Sequence, residues 1–236
     1  MIWLIGLPSG SLDLISIKAL TLLKNCKLCI CPQSLLNNKL LSYCNNAVST
    51  FESLKWQIEH IMYAILCTNG LVVKLHSGSL FGYSGVNELS FYLKTLGKHF
   101  TVLPSIGVLD TAFSYLGCEF DSTWSRTMVI TRLTKKGIVN NKLFCSQTLF
   151  LLRPLAVVYL SIRLIPFICK VLRYSYGPFC PVVCVYKSTW HTETYLLSNI
   201  GSLNRDIKSI ALLRMVLLVI GRNLLGRPLT SCKLIR

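Results

Sequence analysis

An α/β fold in two domains is what this sequence predicts, and three observations carry it. Short apolar, β-prone runs alternate with segments whose apolar residues recur at helical spacing, the pattern that a mainly parallel sheet demands. The alternation occurs twice, with an irregular stretch at 117–126 between the two series. The strand-like runs end abruptly at Gly- or Pro-containing turns, as buried strands of such sheets do. A length of 236 residues is enough for one large core or two smaller ones.

The elements follow in order. Residues 2–5 form a short apolar strand, and GLPSGS after them a turn. Asp13 is placed to cap a helix over 14–23. A strand at 27–31 stops at Pro32, and a helix over 35–43 is closed by Asn-Asn. Leu54, Ile58, Ile61, Met62 and Ile65 lie at helical spacing within 53–67, and Asn69-Gly70 ends that helix. Leu71, Val72, Val73 and Leu75 mark the next strand, 86–96 a helix stopped by Gly97, 100–103 a strand and 108–116 a helix. The second series holds strands at 128–131, 155–160, 182–186 and 215–220, with helices over 162–174 and 207–213. The domains expected are therefore 1–118 and 119–225, followed by a basic tail, 226–236. A cleft between two such domains is a usual place for a small ligand.

Composition narrows the function. Hydrophobic residues make up 52% and charged residues 14%, which excludes a disordered chain. The runs PLAVVYLSI and MVLLVI are too short to span a bilayer and are bracketed by arginines, so no membrane partner is expected. Met1 leads straight into a strand, so no secretory signal is read at this end, and a cytoplasmic location is expected. The net charge of +16 favours anionic ligands. The cations are scattered apart from RLTKK and the tail, with no nucleic-acid-binding motif, so specific nucleic-acid binding is not expected. Of eleven cysteines, Cys26, Cys29 and Cys31 cluster in CKLCICP, but the second half of a zinc site is missing. They read as reduced, structural residues in a strand, with no metal site.

The most informative stretch is VVKLHSGSLFGYSGVNEL, residues 72–89. A buried strand stops at Ser77-Gly78-Ser79, glycines at 82 and 85 keep the turn open, and a helix follows. Backbone exposed at the carboxyl end of a strand can approach a ligand closely and offer it N–H groups. The chain opens on a similar turn at Gly6–Gly10. Glycines after a strand also serve ordinary connections, so the motif alone does not assign a ligand.

Six segments, in this order and spacing, resemble the tetrapyrrole (corrin/porphyrin) methylases. GLPSGSLDLIS is similar to the family's opening GxGPGD-x-DL turn, and VVKLHSGSLFGYSG aligns without gaps to VVRLHTGDPSLYGA. LPSIGV keeps little of the family's VPG(V/I)S. VITRL, VVYLSI, VCVYKSTWHTE and VLLVIGRNL resemble the strands and the Trp-containing loop of the second domain. The resemblance covers nearly the whole chain. Its pairing of KLHSGS with YKSTWHTE points to the branch that methylates precorrin-4 at C11 in cobalamin biosynthesis.

It implies a two-domain architecture, each domain a mixed sheet flanked by helices, with the active-site cleft between them. It also implies S-adenosylmethionine as methyl donor, a precorrin as substrate and a homodimer. Cofactor-binding positions carried over are Pro8, Gly78, Ser79, Leu80 and Gly82 from the first domain and Leu160 and Tyr186 from the second. Lys74, Arg132 and Lys187 are candidates for the substrate's carboxylates, because Arg and Lys pair with them. Tyr83 and Trp190 are candidates for packing on the macrocycle. His76 is a candidate base, although a histidine at a strand end more often has a structural role. Solvated cations and core aromatics remain the plain alternatives for the others. Ser79 stands where the family has Asp, and Pro8 restricts a turn that is otherwise built of small residues. A catalytically degenerate tetrapyrrole-binding relative, or a methylase for another precorrin position, is the alternative reading.

Overall fold

The computed structural model describes residues 1–8, 10–33, 38–44, 46–51, 57–117, 119, 125–133, 153–208, 215–224 and 234–235. They form two compact units, Met1–Val108 and Leu109–Arg236.

The first unit is a parallel sheet with helices on both faces. Its strands are β1 (Ile2–Leu7), β2 (Leu28–Pro32), β3 (Ala47–Phe51), β4 (Val72–Ser77) and β5 (Phe100–Leu103), in the order β3-β2-β4-β1-β5. Every pairing is parallel, as the strand–helix alternation predicts, so only the other sheet is mixed. Because side chains alternate along a strand, one face presents Ile5, Leu7, Cys29, Cys31, Val73 and Leu75 to α1 (Ile17–Asn25) and α2 (Asn38–Tyr43). The opposite face presents Ile2, Leu4, Ile30 and Val72 to α3 (Gln57–Cys67) and α4 (Val86–Thr95). Each fully buried Leu of this kind contributes ~1.5–3 kcal/mol of transfer free energy. Cys26, Cys29 and Cys31 are free thiols and behave as core hydrophobes. Among the described residues no cluster of His, Cys, Asp or Glu is placed to hold a metal ion.

Three elements differ from the sequence expectation. The helix expected over 14–23 begins at Ile17, because Ser16 accepts a hydrogen bond from Ala19 N and is its cap. Asp13 instead sits in a 3-10 turn, where it pairs with Lys39 and accepts from Ser11 Oγ. β3 falls in a stretch where no strand is expected, and it is held by parallel pairing with β2. Residues 34–37 and 52–56, parts of two expected helices, lie outside the described residues.

The second unit holds α5 (Val108–Leu116), β6 (Met128–Leu133), β7 (Leu155–Ser161), α6 (Ile165–Tyr176), β8 (Pro181–Tyr186), β9 (Thr194–Asn199), α7 (Leu203–Lys208), β10 (Met215–Ile220) and β11 (Leu234–Ile235). Its sheet order is β11-β9-β8-β10-β7-β6. β6 and β7 run parallel, β10 runs antiparallel to β7 and β8, and β8 is antiparallel to β9. One face packs Ala156, Val158, Val182, Cys184, Leu218 and Ile220 against α6 and α7. All but the first residue of α5 belongs to this unit, which begins at Leu109. Two contacts explain it: Ser188 donates to Thr111 of α5 at 2.9 Å, and Tyr115 packs 6.0 Å from the Tyr195 ring.

β9 is not expected from the sequence. β8 runs through a short loop into it, and the two pair antiparallel from Pro181↔Asn199 to Tyr186↔Thr194. Ile207 and Lys208 of the helix expected over 207–213 lie in α7, and 209–214 lie outside the described residues. Residues 234–235 of the expected tail add β11 beside β9, and 225–233 lie outside the described residues. No helix among the described residues is long and apolar enough to cross a membrane.

Candidate active site

Parallel pairing sets the candidate residues of the first unit. β1 and β4 end in register, Leu7 opposite Ser77, so the turns that follow them emerge side by side. Gly78 N donates to Leu7 O at 2.6 Å and ties the two turns together. Beneath them a Cβ on Gly6 would lie 2.6 Å from Gly78 O and 2.7 Å from Ser105 Cβ. The turns after β1, β4 and β5 therefore meet over a position that only glycine fills. Gly78 itself has φ +72°, and nothing lies within 4 Å of where its Cβ would be. The residue is buried, yet space is left on the side where a Cβ would stand.

The remaining turn residues have divided roles. Pro8 and Leu80 are buried, and Gly82 is half-buried. Ser79 Oγ accepts from Phe81 N at 3.3 Å, which commits that hydroxyl to the shape of the turn. Tyr83, at φ 58°, is 47% exposed, and Phe81 is 88% exposed. Phe81 was not singled out in the sequence, because one aromatic in a turn carries no spacing signal.

His76 lies under the turn. Its Nδ1 is 3.0 Å from Ser84 O. A carbonyl only accepts, so Nδ1 carries the proton and Nε2 the lone pair. Nε2 is buried and has no hydrogen-bond partner among the described residues. Burial, and secondarily the charge of Lys74, pull His76 down to about 4, so the ring is neutral near pH 7. With the bond to Ser84 it spans the whole turn, from the end of β4 to the approach of α4.

Lys74 sits two residues back on the same face of β4. It is 3% exposed, and its Nζ donates to Leu75 O at 2.7 Å. Burial lowers it to about 8, with Cys31 and Cys29 pulling the other way. Lys74, a candidate for the substrate's carboxylates, is thus buried within β4, its ammonium held by a backbone carbonyl of the same strand.

In the second unit Leu160 and Tyr186 come to one end of the sheet. β10 pairs Val216 with Leu160 and Leu217 with Val185, so the carboxyl ends of β7 and β8 flank its start. The side chain of Leu160 lies outside the described residues. Arg132 is exposed on β6, opposite Tyr159. Lys187 follows β8, with Nζ 5.3 Å from the Tyr186 ring centroid, and Trp190 is half-buried in the same loop.

The loop after β8 is shaped by Lys187 together with Ser188, Thr189 and Glu193, which the sequence reading did not single out. Lys187 and Thr189 hold left-handed backbone, φ 49° and 68°. Between them Ser188 is 1% exposed, and its hydroxyl is 2.9 Å from Thr111 Oγ1 and 3.1 Å from Tyr195 OH. Thr189 N donates to Glu193 Oε2 at 2.8 Å, and Trp190 N to Lys187 O at 3.0 Å. The only sequence signal for this hub was the KSTW string itself, since Thr111 is far away in the chain.

Comparison with known proteins agrees over most of the length. The family model "Tetrapyrrole (Corrin/Porphyrin) Methylases" matches residues 1–204. The precorrin-4 C(11)-methyltransferase of a Sinorhizobium species is 26% identical over 93% of this chain and 88% of its own. The cobalt-precorrin-4 C(11)-methyltransferase of Methanocaldococcus jannaschii is 24% identical over 92% and 86%. Among solved structures, a cobalt precorrin-4 methyltransferase superposes with a TM-score of 0.83 at 21% identity, covering 94% of this chain and 95% of that one. The uroporphyrin-III C-methyltransferase of Thermus thermophilus, complexed with S-adenosylhomocysteine, gives 0.76 at 16% identity over 94% and 97%.

Proposed function

This chain belongs to the tetrapyrrole (corrin/porphyrin) methylase family, and from that premise we propose that it transfers a methyl group from S-adenosylmethionine to C11 of precorrin-4, in cobalamin biosynthesis. The observation that carries the reading is the backbone turn over Gly6 and Gly78, at the carboxyl ends of β1 and β4, combined with curated relatives that methylate this position.

The turn residues fit the donor. Gly78 leaves open space for close approach, Pro8 and Leu80 supply apolar surface, and no acidic side chain stands in the turn. Ser79 and Gly82 complete the first-unit contacts, and Leu160 and Tyr186 are the second-unit positions. When bound, S-adenosylmethionine supplies an already activated methyl on a sulfonium, so positioning is the main task of the protein. Arg132 and Lys187 hold the carboxylates of the macrocycle, and Tyr83 and Trp190 present rings to its face. His76 acts as a positioning residue: its Nε2 is buried, and its depressed basicity makes it a poor proton acceptor. Lys74 is buried in the strand that leads into the same turn. The reading extends to a cytoplasmic homodimer, which light scattering of the purified protein tests for subunit number.

The decisive experiment incubates the full chain with precorrin-4 and S-adenosylmethionine carrying a labelled methyl group. A product one labelled methyl heavier, placed at C11 by fragmentation, is expected. A methyl at another carbon would move the chain to another branch of the family. Donor binding by calorimetry without any methylated product would point to another tetrapyrrole as substrate, and neither product nor donor binding would make the chain a catalytically degenerate relative.

A further inference from the structure

The opposite end of the second sheet holds a cavity that the proposed methyl transfer does not use. Its volume is about 470 Å³, within the range of small-molecule sites. Its walls come from the amino ends of β7 and β8, the carboxyl end of β10 and the loop after α6. Leu160 and Tyr186 are at the other ends of the same strands.

Two arginines converge there for a topological reason. β10 runs antiparallel between β7 and β8, so Ile220 pairs with both Ala156 and Val182. Its continuation, Arg222, therefore emerges between the start of one strand and the start of the other. Arg153 leads into β7. Both side chains bear on the buried Cys180 thiol: burial pushes it up to about 11, and Arg222 and Arg153 pull in the other direction. Among the described residues that line it, none is acidic.

The other walls are aromatic. Tyr174 and Phe179 line the cavity and are 78% and 87% exposed. Tyr176 is buried, with its hydroxyl donating to Pro154 O at 2.7 Å, which fixes α6 to the entry of β7. Arg153 itself has φ 39°. Left-handed backbone is costly for a residue with a Cβ, and more so before a proline. Strain of this kind persists where the surroundings impose it and tends to accompany function.

We propose that this cavity is a second ligand site, for a nucleoside phosphate, with the phosphate held between Arg153 and Arg222 and the base against Tyr174 and Phe179. Two guanidinium groups match a phosphate dianion in charge and donor geometry. Exposed aromatic faces beside them suit a planar heterocycle.

The test is calorimetric titration of the full chain with AMP, with saturating S-adenosylhomocysteine present so that an adenosyl group cannot enter the donor site. Single-site binding is expected, with adenosine and inorganic phosphate each at least about ten-fold weaker. Arg222→Gln and Arg153→Gly should each weaken AMP at least about ten-fold, the glycine also relieving the φ strain. Phe179→Ala, a surface change that leaves folding intact, should weaken AMP and leave phosphate unaffected. Binding of S-adenosylhomocysteine should be the same in all three variants. No AMP binding at millimolar concentration, or binding that the three variants leave unchanged, overturns the proposal. So does AMP binding seen only when S-adenosylhomocysteine is left out.

Discussion

The turn after β4 and the loop after β8 do the same job by different means. Both follow a strand's carboxyl end and both hold candidate site residues. The first takes its shape largely from residue type: Gly78 and Gly85 adopt φ +72° and +74° with no Cβ to strain, and Gly6 leaves room beneath. The second forces Lys187 and Thr189 into comparable backbone, at φ 49° and 68°, and holds them with a buried hydroxyl hub at Ser188. Glycine reaches this geometry with little steric penalty, whereas other residues need tertiary contacts that over-determine it. A turn of the first kind is legible from its string, and one of the second kind is not.

Four experiments press on this contrast. The largest effect is expected from Gly6→Ala. The new methyl would meet a backbone carbonyl at 2.6 Å, so the turn must shift, with a loss of about 3 kcal/mol in denaturant unfolding and a ten-fold or greater loss of donor affinity. Unchanged stability would mean that the meeting of the three turns is loose.

Next comes pH. His76 is held at about 4 against an ordinary 6.5, so the unfolded chain binds the proton more readily. Its stabilising contribution is present above pH 6.5 and is lost as pH falls through 4, about 3 kcal/mol in all. Lys74, at about 8 against an ordinary 10.5, has the same sign at higher pH: stability rises from pH 8 towards 10.5 as both states lose the charge. Urea midpoints across pH 4–7 should show the acid loss, and His76→Gln should flatten it. An equally steep profile in that variant would remove His76 as its source.

Ser188→Ala should cost about 1–3 kcal/mol, because two buried hydroxyls lose this partner together. On the proposed function KM for the precorrin should rise as the loop loosens. A fully stable variant with normal KM would show that the loop is shaped elsewhere.

Lys187→Gly should have the smallest effect on stability, neutral or stabilising by up to about 1 kcal/mol, because the φ strain is relieved. Its KM for the macrocycle should nonetheless rise several-fold if Lys187 holds a carboxylate. Unchanged KM would return Lys187 to the solvated surface.

What the sequence by itself determined is what local chemistry encodes. The strand–helix alternation dictated a parallel first sheet, because a helix between two strands carries the chain back to the end where the first strand began. The glycine turn after β4 was legible because glycine takes left-handed backbone at little steric cost where other residues do not, and the core role of Cys29 and Cys31 was legible from their β-prone neighbours. Tertiary structure alone decided the rest. Thr111 meets Ser188 across 77 residues, and no local pattern records such a contact. Lys74 faces the sheet interior because β4 is covered on both faces, so the alternation that would mark an outward lysine is missing. β9 and β11 exist through pairing with strands already in place, since strand formation rests on a partner more than on intrinsic preference. The Arg153–Arg222 cavity likewise arises from the antiparallel insertion of β10, which brings two distant, unremarkable arginines to one edge of the sheet.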